Sequence, residues 1–512
     1  MWKKMAAKFV LLGIDGADWK IIDALAAEGA LPNLAKMKEE GSHASLRSTI
    51  PPLTAPAWNS IFTGVNPGKH GIFSFATLTE GKRRYTSGAE RLVPYFWDLM
   101  HDQKILAYNI PCAYPVRASE NTVLVSGFCT PGPESDFASP LPVKDEILRL
   151  VPDYDFNHVL ESDMRKSDGP GGKMKAMESI SRSLDGRLKV ASHLMQTKEW
   201  DAAFIVFSET DWIQHYFMHE FVHSGHKRES QIGRIYMRID AFLGTLLQKG
   251  YNVMVVSDHG FRLARRHFHL NTFLIRSGSL KLRTGSRRHA MQRLGLTRDR
   301  VISLLPGWLI RRIRKLRPLS RLGLSVFPSK AVSEDNIDFG RSRAYLFTNS
   351  GGIMLSEPSL KGAVAAEVEG SVDESGRKPV EGVFARESIY HGEGVHRAPH
   401  LVAMPSGDNA LSTAVSASLS REIDPETELT GYHDVCGVFI SSGPDFLKKG
   451  RMDELSLLDI APTVLSLFGY PAPADMDGRR IGILHPSPMR DGLKSGTLHA
   501  IKKLARRREQ RG

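Results

Sequence analysis

Apolar runs and helix-period stretches alternate along most of this chain. "KFVLLGIDG" near the start is a nearly unbroken apolar run, and "ADWKIIDALAAEGALPNLAKMKEEG" behind it returns its apolar residues at helical spacing. The couplet recurs in "DAAFIVFSETD" before "WIQHYFMHEF", and in "CGVFISSGP" before "LSLLDIAPTVLSLFG"; the helical "SQIGRIYMRIDAFLGTLLQKG" precedes the run "YNVMVVSDHGF". Continuous β-branched runs between helices predict an α/β fold whose mostly parallel sheet is covered on both faces. Two regions break the alternation. Residues 130–195 open with "TPGPESDFASPLP" and contain "SDGPGGK", which predicts a loop or cap insertion. Residues 276–342 read as a basic inserted cap segment, and 486–512 as a basic C-terminal tail. The catalytic core is then expected over 1–275 and 343–485.

Composition sharpens this picture at few points. The 512 residues are 41% hydrophobic and 24% charged, as in ordinary globular proteins. No apolar run approaches the roughly 20 residues that span a bilayer, and the first apolar run reads as a strand, not a signal peptide. Three cysteines, Cys112, Cys129 and Cys436, lack paired or metal-type spacing. No disulfide framework is expected, and a cytoplasmic setting is the reading that follows.

The net charge of +12 is localised. From Arg276 to Arg321 there are 14 Lys or Arg against one acid, Asp299, and from Lys494 onward seven against Glu509, so the remainder is mildly acidic. Within the first cluster, Leu305, Trp308, Leu309, Ile313 and Leu316 fall near one helical face, with Arg311, Arg312, Arg314 and Lys315 around them. Such a helix packs on the core as a cap or lies on an anionic membrane surface. The second reading would suit a lipid-linked or polyprenyl phosphate substrate. Nucleic-acid binding is disfavoured, because no recognised motif or aromatic interleaving accompanies the charge.

Candidate chemistry gathers where strands end, the place where ligands collect in such sheets. Asp15 follows the first run, Asp211 and His215 follow "AAFIVFSET", Asp258 and His259 follow "YNVMVVS", and His433 precedes "CGVFI". Asp211 and His215, four apart, share a helix face. "STIPPLTAPAWNSIFTG" adds Thr54 among prolines at a helix start, where an N-cap is the plainest role. Three carboxylates, three imidazoles and a hydroxyl would serve two borderline cations of the zinc type.

The pieces "GIDGAD", "LTAPAWNSIFTGVNPGKHGI", "ETDWIQH", "SDHGF" and "GYHDVCGVFISSGP" resemble, in order, the type I phosphodiesterase/nucleotide pyrophosphatase family of the alkaline phosphatase superfamily. "LLDIAPTVLSLFGYPAPADMDGR" resembles the family's closing segment. The resemblance covers residues of about 8–75, 200–275 and 430–480. It implies a three-layer α/β/α sandwich and a metal-dependent phosphodiesterase acting through a phosphothreonine. By resemblance, Thr54 is the nucleophile. Asp15, Asp258, His259 and Thr54 hold one divalent ion, and Asp211, His215 and His433 the other, with zinc expected and Mn2+ the alternative. One position departs: family members carry Asn three residues after the nucleophile, and here Ala57 stands there, with Asn59 on another helix face. His70 and Gly71 match a turn of the family, and His267 and His269 have no ligand role. A phosphomonoesterase or phosphoglycerate-mutase-like phosphotransferase is the alternative on the same fold, although that mutase branch uses Ser. A sulfatase lacks support, since no Cys-x-Pro-x-Arg surrounds Thr54. A non-catalytic membrane-surface protein would have no physical reason to keep the whole ligand set.

Overall fold

The computed structural model describes residues 7–79, 82–117, 119–156, 170–283 and 337–485. The amphipathic basic helix expected near 305–316 and the tail from 486 lie outside the described residues.

The first strands are β1 (Phe9–Ile14), β2 (Ser42–Arg47), β3 (Ile105–Ile110), β4 (Thr122–Ser126), β5 (Ala138–Ser139), β6 (Ala202–Phe207) and β7 (Asn252–Val256). There follow β8 (Gly260–Leu263), β9 (Arg266–His269), β10 (Ala344–Leu346), β11 (Gly352–Leu355), β12 (Val380–Ala385), β13 (Leu401–Pro405), β14 (Gly431–Asp434) and β15 (Cys436–Ser442). The main sheet runs β2–β15–β7–β1–β6–β3–β4–β5, with two short strands on the β2 edge. β1 pairs in parallel with β6 and β7, and β3 in parallel with β6 and β4, as the unbroken apolar runs predict. β15 enters antiparallel between β7 and β2.

Strand alternation sorts each run between two apolar layers. Val10, Leu12 and Ile14 of β1 and Ala203, Ile205 and Phe207 of β6 face one layer. That layer contains α1 (Trp19–Ala27) and α2 (Pro32–Glu40). Phe9, Leu11, Phe204 and Val206 face the other, against Trp58, Ile61 and Phe62 of α3 (Thr54–Thr63). The sandwich is therefore three layers deep.

The 130–195 stretch, expected as a loop or cap, carries α4 (Pro142–Leu150) and α5 (Pro170–Thr197). Their Val143, Ile147, Leu184, Val190 and Leu194 are buried with α1 and α2 on the first face. α5 reaches α6 (Glu209–His223) through a buried ion pair, Arg187 Nε to Glu209 Oε1 at 2.6 Å. Beyond the sheet, β10, β11, β13 and β12 form a separate four-stranded antiparallel sheet with an apolar cluster of its own, including Ile353, Val364 and Leu401.

Candidate active site

Every sequence-predicted ligand reaches the carboxyl edge of the parallel strands. Asp15 is the first residue past β1, and its backbone N–H still bonds Phe207 O at the end of β6. Asp211 and His215 lie on the first turns of α6, and Asp258 and His259 bridge β7 to β8. His433 arrives on β14, which pairs antiparallel with β8 so that His433 lies opposite Phe261. The loop thus folds back as a two-stranded ribbon, and a residue some 170 positions beyond its neighbours joins them.

Thr54 opens α3, and capping does not occupy it. Leu53 holds the cap position with no side-chain cap, while the Thr54 hydroxyl lies 3.2 Å from His259 Nε2. His259 Nε2 is 3.2 Å from Asp258 Oδ2 and 3.6 Å from Asp15 Oδ1. Alongside, Asp211 Oδ1 is 3.1 Å from His433 Nε2 and 3.5 Å from His215 Nε2, and the two imidazole nitrogens are 3.2 Å apart. The His259 and His433 rings stack at 3.7 Å, joining the two groups.

Each imidazole is turned the same way. Nδ1 of His215 meets Gly431 O at 2.8 Å, that of His433 meets Pro52 O at 2.8 Å, and that of His259 meets Gly260 O at 3.1 Å. A carbonyl can only accept, so Nδ1 carries the proton and donates, and each Nε2 faces the common centre, the arrangement that metal-binding histidines use.

The carboxylates tell the same story. Asp15 Oδ1, Asp211 Oδ1 and Asp258 Oδ2 are buried without a hydrogen-bond donor from the protein. Burial raises Asp258 to about 7, and raises Asp15 well above its ordinary range with Asp258 and Asp211 adding repulsion. Asp211 is lowered although burial opposes it, because His215 and His433 face it; His433 is raised in return, also against its burial. Burial lowers His215 and His259. Three desolvated carboxylates crowded into one buried site are a concentration of acidic groups that divalent cations would satisfy. Two clusters able to coordinate divalent metals are therefore present, Asp15–Asp258–His259 and Asp211–His259–His433, with His215 beside the second.

Sequence reasoning missed the residues that orient the ligands. Trp58 Nε1–H donates to Asp15 Oδ2 at 3.2 Å, and Gly16 N–H donates to Asp258 Oδ1 at 3.1 Å. Thr210 Oγ1–H donates to Asp15 O, and Gln214 Nε2–H to Gly16 O. Gly16 was legible in "GIDGAD", but Trp58 reads as an ordinary core residue. Asn59 turns away from the site, its Nδ2–H donating to Ala55 O within α3, and Ala57 is buried in the core. His70 accepts from Ile72 N–H and meets Ser60, as a turn residue would. His267 and His269 lie on β9, outside the cavity lining.

The site opens into a cavity of about 800 Å3. Leu53, Phe75, Phe128, Trp212 and Leu429 give it an apolar wall, and Arg262, Thr348 and Asn349 a polar one.

Residues 9–308 match the model of the family "Type I phosphodiesterase / nucleotide pyrophosphatase". Phosphonoacetate hydrolase from Sinorhizobium meliloti 1021, in complex with phosphonoformate, superposes with a TM-score of 0.58 at 15% identity, over 91% of this chain and 96% of that one. Human ectonucleotide pyrophosphatase/phosphodiesterase 5 gives 0.49 at 12%, over 97% and 99%. Among curated proteins, none matches the chain significantly in sequence. The expected cytoplasmic setting is corrected here: three cysteines do not select a compartment. Among the described residues no helix is long and apolar enough to cross a membrane. The chain belongs to the type I phosphodiesterase/nucleotide pyrophosphatase family and is a metal-dependent phosphohydrolase of the alkaline phosphatase superfamily.

Proposed function

We propose that the protein hydrolyses phosphodiesters in two steps, with Thr54 as nucleophile. The observation that carries this reading is the uncapped Thr54 hydroxyl, 3.2 Å from His259 Nε2 and beside both ligand clusters. Asp15, Asp258, His259 and Thr54 would hold one divalent ion and Asp211, His215 and His433 the other, with zinc the first expectation from the nitrogen and oxygen donor set and Mn2+ the alternative. Bound there, the ions would supply Lewis-acid charge for an in-line displacement and favour the ionised threonine oxygen.

The protein's own groups do the rest. Prolines at 51, 52 and 56 restrict the backbone on both sides of Thr54, so its oxygen is held in place. The first turn of α3 presents its N-terminal dipole to the phosphoryl oxygens. Thr54 Oγ attacks phosphorus and gives up its proton to solvent, and one ester oxygen departs with its bonding electrons and takes up a proton; a phosphothreonine still carrying the second ester group remains. Water entering from the vacated side cleaves it and restores the hydroxyl. Because Ala57 replaces the family's Asn, one phosphoryl contact is missing, and the polar cavity wall is where a substitute would stand.

A cavity of about 800 Å3 leaves room for a substituent on each side of phosphorus, which supports diesters over monoesters. Purified enzyme with defined zinc or manganese content, assayed on paired aryl phosphodiesters and monoesters, should show the larger kcat/KM for the diester. A larger value for the monoester would overturn the substrate class and leave the nucleophile untouched.

A further inference from the structure

A pair of thiols faces each other beside the nucleophile, although Cys112 and Cys129 are 17 positions apart in the chain. Cys112 lies two residues past β3 and Cys129 three past β4, and these strands are parallel neighbours. Both loops therefore leave the same edge of the sheet, the edge that carries the ligands. Cys112 N–H donates to Phe128 O at 2.9 Å, and Gly127 N–H donates to Ile110 O at 2.9 Å, tying the loops together. A Cβ on Gly127 would stand 2.5 Å from Asn109 Oδ1, so only glycine permits this approach.

Among the described residues, Asn109, Cys112 and Cys129 are the non-glycine residues with positive φ, at 57°, 56° and 73°. Asn109 lies at the end of β3, and the two cysteines lie in the loops that follow β3 and β4. A side chain in this region is strained and persists only where the surroundings hold it. What the strained geometry achieves is to aim one sulfur at the other: the Sγ atoms are 3.6 Å apart. A disulfide bond needs about 2.0 Å, a closure that small side-chain rotations supply.

We propose that Cys112 and Cys129 are a site of reversible disulfide formation that clamps the β3 and β4 loops next to Thr54. The two cysteines pack with Ala55, which follows the nucleophile, and with Ile72 and Phe75. Phe128, adjacent to Cys129, stacks edge-on to Phe75 at 4.7 Å, and both rings line the cavity. The bridge thus pins the loop that carries Phe128, a residue of the cavity wall, to the loop that follows β3. The oxidant is a low-molecular-weight disulfide of the glutathione class. Cys129 is partly exposed while Cys112 is buried, so Cys129 reacts first. Its thiolate attacks one sulfur of the oxidant and expels one thiolate; Cys112, deprotonated, then attacks Cys129 Sγ and expels the second. Two protons and two electrons leave the pair, and the oxidant is reduced to two thiols. The Cys112 contact and then burial raise the Cys129 thiol, so exchange is slow at neutral pH and quickens as pH rises.

Cys436 supplies an internal control, since it lies on β15 with its sulfur 3.6 Å from Glu454 Oε2. The full-length protein should be equilibrated in glutathione buffers of graded oxidised-to-reduced ratio, then alkylated and peptide-mapped. Cys112 and Cys129 should become protected together, linked in one cross-linked peptide pair, while Cys436 stays alkylatable. The oxidised protein should also melt several degrees higher, a shift that Cys112→Ser abolishes. Independent protection of the two cysteines as mixed disulfides would overturn the proposal. So would full alkylation of both in buffers oxidising enough to modify Cys436, a result that needs no variant and no assay of turnover.

Discussion

At the scale of single residues, Thr54 concentrates the proposed chemistry in one oxygen. Thr54→Ala removes that oxygen from a residue only 5% exposed and leaves the carboxylates and imidazoles standing. Turnover should fall by about 10³-fold or more, as removal of a nucleophile does elsewhere. Bound metal, measured by elemental analysis, should remain close to wild type; undiminished turnover would remove Thr54 from the mechanism. The candidate ligand residues were legible because chemistry restricts their types: an Asp or His directly after an apolar run is conspicuous. Trp58 was hidden because nothing in its position separates a core indole from one that donates to Asp15. The missing cap on Thr54 was hidden too, since a proline-flanked threonine at a helix start has an equally good use as a cap.

At the scale of elements, the parallel strands could be read from their unbroken apolar runs, whereas α4 and α5 could not. The breaks "TPGPESDFASPLP" and "SDGPGGK" draw the eye in 130–195, and its helices declare themselves only through contacts with distant elements. Arg187 on α5 shows what that packing contributes. It and Glu209 on α6 are 1% and 0% exposed, and Arg187 also donates to Asn109 Oδ1 and Asp155 O. Arg187→Met strands the Glu209 charge two residues from Asp211 and should lower unfolding free energy by about 3–5 kcal/mol. Adding Glu209→Gln should recover part of the loss in urea titrations; no recovery would mean that the pair is not coupled. A second effect belongs to β9. His269 is buried with neither ring nitrogen hydrogen-bonded, and its burial lowers it from 6.5 to about 3. The unfolded chain therefore takes up a proton that the native imidazole refuses. The stability contribution is complete above about pH 6.5 and is lost progressively as pH falls toward 3. His269→Leu should flatten stability against pH between these limits by up to about 1.4 kcal/mol per pH unit. An unchanged slope would place the proton uptake elsewhere.

At the scale of the whole molecule, the two candidate ligand clusters join β1, α3, α6, β7 and β14, so a metal bound there would be thermodynamically linked to the fold. Chelation should lower the melting temperature, and zinc restored at about a thousand times its dissociation constant should return about 4 kcal/mol. A melting temperature indifferent to chelator in a protein shown to release its metal would break that linkage. The position of β15 carries a different consequence, for biosynthesis. Among the described residues, β2 meets the main body of the sheet through β15 alone, and β15 is made nearly 390 residues after β2, directly after His433. A nascent polypeptide halted before Cys436 would keep β2 waiting and leave a gap one strand wide along β7. A synthetic peptide spanning 431–442 has the right edge pattern to fill that gap, so the enzyme is a natural candidate for splitting into two inactive pieces that regain activity when mixed.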